Sequence, residues 1–168
     1  MIMDHKLKLM VVDDSPLFRT WLIRSLSEDD RFQVVGYAVN ALDAQEKIPL
    51  LQPDMLTLDI EMPGMSGIEF LKQLLPVHPI PVILVSSLNL RVFDALEAGA
   101  VDFVRKPDEA NGLSKEIFLS MLRSKLLVAA ASHVHLPSVP ASPQAAKKRI
   151  VSPLTAAGNP FLNRPKTS

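Results

Sequence analysis

The stretch Thr57–Gly67 reads T-L-D-I-E-M-P-G-M-S-G. It contains the end of an apolar run, Met55–Leu58, which is followed directly by the carboxylate of Asp59 and then by a Met-Pro-Gly turn. A short apolar run bounded by turn residues is typical of a buried strand. An acidic side chain directly after such a strand lies where open α/β sheets form their ligand-binding crevice. We therefore expect a central strand here, with a polar site at its carboxyl end.

Apolar runs of strand length recur along the chain and alternate with segments of helical spacing. The predicted strands are Leu7–Val12, Phe32–Ala38, Met55–Leu58, Val82–Val85 and Asp102–Val104. The predicted helices open at Ser15-Pro16, span Ala41–Leu51, run from Ser66-Gly67 to Pro76, span Leu90–Ala98 and span Ser114–Ala131. Such alternation predicts βαβ units, whose right-handed crossovers give a parallel sheet with helices on both faces. We expect a doubly wound α/β domain of five strands and five helices.

The composition limits the class of protein. The chain has 168 residues, 48% of them hydrophobic, which suffices for one domain with a real core and an appendage. It contains no cysteine, which excludes a disulfide framework and a thiolate metal site. The N-terminal stretch lacks the apolar segment of a signal peptide, and no apolar run is long enough to span a bilayer. The expected location is the cytoplasm, without membrane insertion.

Residues 132–168 differ in composition from the rest of the chain. They hold five basic residues and no acidic ones, which leaves thirteen basic and eighteen acidic residues in the first 131. They also hold six of the 14 prolines and show no sustained strand or helix periodicity. Such a segment does not form a packed core of its own. The sequence predicts a domain over residues 7–131 and a flexible basic linker or tail over 132–168, with no nucleic-acid partner.

Polar side chains follow most of the predicted strands. Asp13 and Asp14 follow the first strand, Asp59 the third, Ser86 the fourth and Lys106 the fifth. Each has an ordinary structural explanation, because Asp and Ser are common turn and cap residues and a Lys before Pro is usually solvated. In a parallel sheet, however, the carboxyl ends of the strands meet at one edge. We expect these five side chains to converge there.

Three clustered carboxylates repel one another and raise each other's pKa, so they stay ionised at neutral pH only with a cation among them. The ligands on offer are oxygen atoms, with no His or Cys, and this favours Mg²⁺. A carboxylate beside such an ion can attack phosphorus and form an aspartyl phosphate. Asp59 is the expected nucleophile, and Asp13, Asp14 and a backbone carbonyl just past Asp59 are the expected metal ligands. The Lys106 ammonium and the Ser86 hydroxyl would neutralise charge on the phosphoryl oxygens.

The motifs V-V-D-D, T-L-D-I-E-M-P-G-M-S-G, V-I-L-V-S-S and F-V-R-K-P together resemble the signature of bacterial two-component response-regulator receiver domains over residues 7–128. The resemblance implies a flavodoxin-like fold and phosphoryl transfer from a histidine kinase to Asp59. The implied metal ligands are Asp13, Asp14, Asp59 and the backbone carbonyl of Glu61. The implied phosphoryl contacts are Ser86 and Lys106, and the implied switch residues are Ser86 and Phe103. A cis peptide bond before Pro107 is also implied.

Within that family, the motifs around Asp59, V-S-S-L and G-A-V-D-F-V-R-K-P resemble the receiver half of chemotaxis protein-glutamate methylesterases. The proline- and alanine-bearing tail resembles their interdomain linker. The resemblance implies the chemotaxis kinase as phosphodonor. It also implies a methylesterase domain, or another output partner, on the face of helix four, strand five and helix five. Nothing in the sequence corresponds to the glycine-rich start of the esterase domain, so the chain as given is not expected to be an enzyme.

Two other classes of function compete with a receiver. A Mg²⁺-dependent phosphatase-like hydrolase also places an Asp nucleophile after a strand. Such enzymes usually carry a second Asp two residues on as general acid, where this chain has Glu61, and they add a cap insertion for which the chain has no room. A DNA-binding regulator would need a basic helix-turn-helix after residue 131, which the proline-rich tail cannot form. We expect a signalling receiver, with the hydrolase as the alternative.

Overall fold

The computed structural model of the chain describes residues 6–87, 91–108, 110 and 112–135. The strands are β1 (Leu7–Val12), β2 (Phe32–Ala38), β3 (Met55–Leu58), β4 (Val82–Ser86) and β5 (Asp102–Arg105). The helices are α1 (Pro16–Ser27), α2 (Ala41–Leu51), α3 (Gly67–Leu74), α4 (Val92–Glu97) and α5 (Lys115–His135). The predicted alternation of strands and helices is confirmed. β4 and β5 each continue one residue beyond the prediction, through Ser86 and Arg105.

The strands form one sheet in the order β2-β1-β3-β4-β5, and every neighbouring pair is parallel. This is the order of flavodoxin-like folds, as the sequence predicts. From β1 the chain winds toward one side to form β2 and then returns past β1 to form β3. The winding direction therefore reverses between β1 and β3. Open α/β sheets form their ligand crevice outside the carboxyl ends of the strands at such a reversal.

Two hydrophobic layers cover the two faces of the sheet. Successive side chains of a strand point to opposite faces, so Leu9 and Val11 of β1 pack against α1 and α5, whereas Met10 and Val12 pack against α2, α3 and α4. All residues of β3 and β4 are buried, as expected for parallel strands covered on both sides. Because β3 and β4 are buried along their whole length, polar groups of these central strands can reach solvent only at the strand ends.

The last helix extends beyond the predicted domain boundary. The sequence places that boundary after Ala131, whereas α5 continues to His135. The rest of the predicted tail, from residue 136 onward, lies outside the described residues, so its flexibility stays a prediction. Within the part of the chain that the structure describes, no helix combines the length and the apolarity needed to cross a bilayer.

Candidate functional site

Backbone hydrogen bonds at the strand ends hold the site residues in place. The amide of Asp13 donates to the carbonyl of Ala38, and the amide of Asp59 donates to the carbonyl of Val12, each at 3.0 Å. The amide of Lys106 donates to the carbonyl of Ser86, also at 3.0 Å. These bonds continue the parallel pairing of the strands one step past their ends. Residues that follow β1, β3 and β5 are therefore held at one edge of the sheet.

The predicted carboxylates converge at that edge. One oxygen atom of each of Asp13, Asp14 and Asp59 lies within 4.8 Å of the others. The residues differ in exposure: Asp13 is 2% exposed and Asp59 is 4% exposed, whereas Asp14 is exposed to solvent. The cluster therefore combines two buried carboxylates with one that solvent can reach.

A cation lies among these carboxylates, and it is the ammonium group of Lys106. Its Nζ atom lies 3.0 Å from Oδ2 of Asp13 and 3.3 Å from Oδ2 of Asp59, and its side chain is only 16% exposed. The sequence predicted Lys106 as a phosphoryl contact but did not predict these ion pairs. The peptide bond from Lys106 to Pro107 is trans, which corrects the cis bond implied by the family resemblance. Trans is the lower-energy form of an X–Pro bond in the absence of other constraints.

Burial raises the pKa of Asp59 from 3.8 to about 6. The Lys106 ammonium is the strongest opposing influence, the charge of Asp13 adds to the rise, and a hydrogen bond from the Glu61 amide opposes it. The expectation that clustering raises the pKa is correct in direction for Asp59, but desolvation is the larger cause. The Asp59 carboxyl group therefore remains mainly ionised at neutral pH.

The donor set fits a hard cation. It offers carboxylate oxygens only, which suit Mg²⁺ in preference to zinc or copper. One oxygen of Asp13 accepts a hydrogen bond from the Ser15 amide at 2.8 Å, which fixes the orientation of that carboxylate. The Glu61 amide donates to Oδ1 of Asp59 at 3.2 Å, so the chain just past β3 folds back over the carboxylate. The Glu61 carbonyl stays a predicted ligand.

Two residues that support the site were missed by the sequence analysis. Arg19 donates from Nη1 to the backbone carbonyl of Asp13 at 2.8 Å, across the first turn of α1. Gly67 opens α3 so close to the loop after β3 that a Cβ atom there would lie 2.7 Å from the carbonyl oxygen of Asp59 and 2.9 Å from Cα of Ile60. The glycine stands in the T-L-D-I-E-M-P-G-M-S-G motif, whereas no sequence signal marked Arg19.

The two predicted switch residues lie on neighbouring strands. Ser86 is buried at the end of β4 and pairs in register with Arg105. Phe103 lies on β5 opposite Leu84, and its half-buried ring packs at the margin of the core. Phe103 also lines a cavity of about 420 Å³ between β5 and α5, and Lys125 of α5 lies over its ring with Nζ 5.7 Å from the centroid.

A five-stranded parallel sheet of this order, with an acidic and lysine-bearing crevice at the β1–β3 reversal, defines a receiver of phosphorelay signal transduction. The sequence model of the response regulator receiver domain matches residues 9–118, and the chain belongs to this family. Within the family, the chain resembles the response regulator domain of Thermotoga maritima CheB. That structure superposes with a TM-score of 0.67 and 37% identity, covering 76% of this chain and 98% of the other.

Longer relatives point to the same part of the family. The chain is 46% identical over 130 residues to protein-glutamate methylesterase/protein-glutamine glutaminase 2 of Syntrophomonas wolfei, covering 77% of this chain and 38% of that protein. It is 43% identical over 137 residues to the protein of the same name from Vibrio vulnificus, covering 79% of this chain and 40% of that protein. The chain as given therefore corresponds to the receiver part of such proteins, as the sequence predicts. The alternative of a phosphatase-like hydrolase is not supported by these comparisons.

Proposed function

We infer that Asp59 is the phosphoacceptor of this receiver and that a histidine kinase is its phosphodonor. The observation that carries the inference is the position of Asp59. It is a buried carboxylate at the end of β3, with the Lys106 ammonium 3.3 Å away and two more carboxylates beside it. Of the carboxylates in the cluster, Asp59 is the one that follows β3, beside the β1–β3 reversal where the ligand crevice forms.

The proposed reaction transfers one phosphoryl group. An oxygen of Asp59 forms a bond to phosphorus while the bond from phosphorus to the donor nitrogen breaks. The imidazole of the donor histidine leaves with the electron pair and takes up a proton. Because the reaction needs an ionised nucleophile, it should slow when the Asp59 carboxylate is protonated.

Mg²⁺ is the cofactor proposed for this site. Its proposed ligands are Asp13, Asp14, Asp59 and the backbone carbonyl of Glu61. When bound, it would neutralise negative charge on the oxygens of the transferring group. The residues of the chain supply the rest of the proposed stabilisation. The Lys106 ammonium binds a second phosphoryl oxygen and the Ser86 hydroxyl a third.

Ser86 and Phe103 are proposed to convert phosphorylation into a change of surface. A phosphoryl group on Asp59 would draw the Ser86 hydroxyl toward it, and the ring of Phe103 would turn into the vacated space. Support comes from the buried position of Ser86 and from the half-buried ring of Phe103 beside a cavity. Such a switch requires contacts that differ between its two states, and these two side chains supply them.

The proposed partners follow from the methylesterase relatives. The phosphodonor would be the chemotaxis kinase, and the output would be a protein-glutamate methylesterase domain or another partner. The proposed contact surface is the face of α4, β5 and α5, because it carries Phe103. The chain would act in the cytoplasm as the regulatory part of such a methylesterase, without binding nucleic acid.

Intact-mass measurement after incubation with Mg²⁺ and acetyl phosphate tests the assignment. Wild type should gain one acid-stable, base-labile phosphoryl group, and Asp59→Asn should gain none. Asp54→Asn is a matched control, because the exposed Asp54 precedes β3 where Asp59 follows it. It should be labelled like wild type. Equal labelling of wild type and Asp59→Asn would contradict the proposal.

A further inference from the structure

We propose that Phe18 is a positioning residue for Lys106: the face of its ring holds the ammonium group against Asp13 and Asp59. The Nζ atom of Lys106 lies 4.6 Å from the centroid of the Phe18 ring. The same atom makes the ion pairs of 3.0 Å with Asp13 and 3.3 Å with Asp59. The ammonium group is therefore bounded by two carboxylates and one aromatic face. The contact is independent of the proposed function, whereas its effect on phosphorylation rests on that function.

An aromatic face does two things for an ammonium group. Its negative potential attracts a cation that lies within about 6 Å of the ring centroid, and more strongly when the cation is removed from water. The ring also offers no strong hydrogen-bond acceptor, so the three N–H donors of Lys106 remain available to the carboxylates or to a phosphoryl group. Because the lysine side chain is long and flexible, a fixed face beside its end restricts the positions that the charge can take.

The ring of Phe18 is itself held in place by two other rings. Its centroid lies 5.7 Å from that of Trp21 and 5.9 Å from that of Phe118, and the latter two are 5.9 Å apart. Phe118 of α5 is fully buried, so this cluster joins α1 to α5. The amide of Phe18 donates to the hydroxyl of its helix cap, Ser15, at 3.4 Å. The ring therefore presents a fixed surface to the end of β5.

Phe18 and its aromatic neighbour Trp21 contact different lysine side chains. Lys106 lies over Phe18, whereas the cation over Trp21 is Lys115, with Nζ 5.2 Å from that ring's centroid. Trp21 is half-buried and packs against both phenylalanines. Trp21→Leu is therefore a control that removes one ring of the cluster but keeps the face beside Lys106, because the Phe18 ring still packs against the buried ring of Phe118 at 5.9 Å. Phe18→Leu removes that face and leaves an apolar side chain, and Phe18→Tyr restores the face.

The first measurement is the NMR signal of the ε-methylene protons of Lys106, in protein without metal or phosphodonor. Protons above a ring face are shielded by the ring current, so these signals should lie upfield of those of the other lysines in wild type. The displacement should vanish in Phe18→Leu and persist in Phe18→Tyr and Trp21→Leu. A Lys106 signal without this displacement in wild type, or one unchanged in Phe18→Leu, would overturn the proposal. This readout does not require phosphorylation.

The second measurement is the rate of Asp59 phosphorylation by acetyl phosphate with Mg²⁺, resolved into a limiting rate and an apparent KM. In this reaction an Asp59 oxygen bonds to phosphorus and the bond from phosphorus to the acetate oxygen breaks, with acetate as the leaving group. Phe18→Leu should lower the limiting rate about tenfold with little change in KM, because a misplaced ammonium stabilises less charge in the transition state. Phe18→Tyr should restore the rate, and Trp21→Leu should keep it.

The two measurements distinguish the possible failures. If wild type is not phosphorylated on Asp59, the proposed function fails, while the NMR signals still decide whether the Phe18 ring faces Lys106. If the displacement is lost in Phe18→Leu but the limiting rate matches that of Trp21→Leu, the ring contacts Lys106 without assisting the reaction. That result would refute the positioning role.

Discussion

Replacing Asp59 with Asn should stabilise the metal-free domain at neutral pH. Asp59 is 4% exposed, and burial is the largest cause of its raised pKa. Its ionised form is therefore stabilised less in the folded protein than in the unfolded chain, despite the ion pair with Lys106. Asn has nearly the same shape and no charge. The substitution should remove this unfavourable contribution at the expense of the proposed phosphorylation.

The pKa of Asp59 sets the size and the sign of the effect. The pKa of Asp59 in the folded protein is about 6, against the ordinary value of 3.8 for an aspartate carboxyl group. A difference of this size corresponds to about 3 kcal/mol in the free energy of unfolding. Below pH ~4 both the folded and the unfolded state hold the Asp59 proton, and burial of the side chain then causes no loss of stability through its charge. Between pH ~4 and ~6 the unfolded chain has released the Asp59 proton while the folded protein still holds it, so the free energy of unfolding falls as the pH rises. Above pH ~6 both states are ionised, and the loss of stability is complete.

Urea unfolding in EDTA, across the range from pH ~4 to ~8, measures the effect. The single tryptophan, Trp21, reports unfolding because it packs in the cluster of rings between α1 and α5. Asp59→Asn should be more stable than wild type by about 2–3 kcal/mol at neutral pH and nearly equal at the acid end. Asp14→Asn is the matched control, since Asp14 belongs to the same cluster but is exposed, and its stability should stay close to that of wild type.

A result in the opposite direction would refute the reasoning. If Asp59→Asn were less stable than wild type at neutral pH, the ion pair with Lys106 would outweigh the cost of burying the Asp59 charge. Parallel pH profiles for the two proteins would show that the pKa of Asp59 is not raised in the folded state. Addition of Mg²⁺ should reduce the difference in the free energy of unfolding between Asp59→Asn and wild type, because a ligand that binds only the folded wild type adds to its stability.

Two other substitutions test the surroundings of Asp59. Gly67→Ala should lower the free energy of unfolding by about 1–3 kcal/mol and slow labelling by acetyl phosphate. The reason is that the new Cβ atom would meet backbone atoms of Asp59 and Ile60 at 2.7 and 2.9 Å. Unchanged urea unfolding would contradict this prediction. Lys106→Met keeps an unbranched side chain but removes the charge that most lowers the pKa of Asp59. A ¹³C titration of the Asp59 carboxyl should then give a pKa above the wild-type value of about 6, and a lower value would show that the ammonium does not stabilise the carboxylate.

The sequence alone determined the order of elements and which acidic side chains meet at the carboxyl edge of the sheet. Apolar runs bounded by turn residues marked β1, β2 and β3 at the bounds that the structure has, because each run begins and ends at the residues that pair with a neighbouring strand. Ser15-Pro16 marked the start of α1 through its cap chemistry. Convergence of Asp13 and Asp59 followed from topology, since parallel strands bring their carboxyl ends to one edge.

The tertiary structure alone decided how these groups interact. Which cation lies among the carboxylates, how deeply Asp59 is buried and which ring faces Lys106 all depend on contacts between residues far apart in the chain. Local patterns assign Phe18 to the apolar side of a helix, but only the packing of α1 beside the end of β5 brings its ring to the ammonium. Periodicity reports which side of an element is buried. The partner of each buried group is set by how the elements pack together.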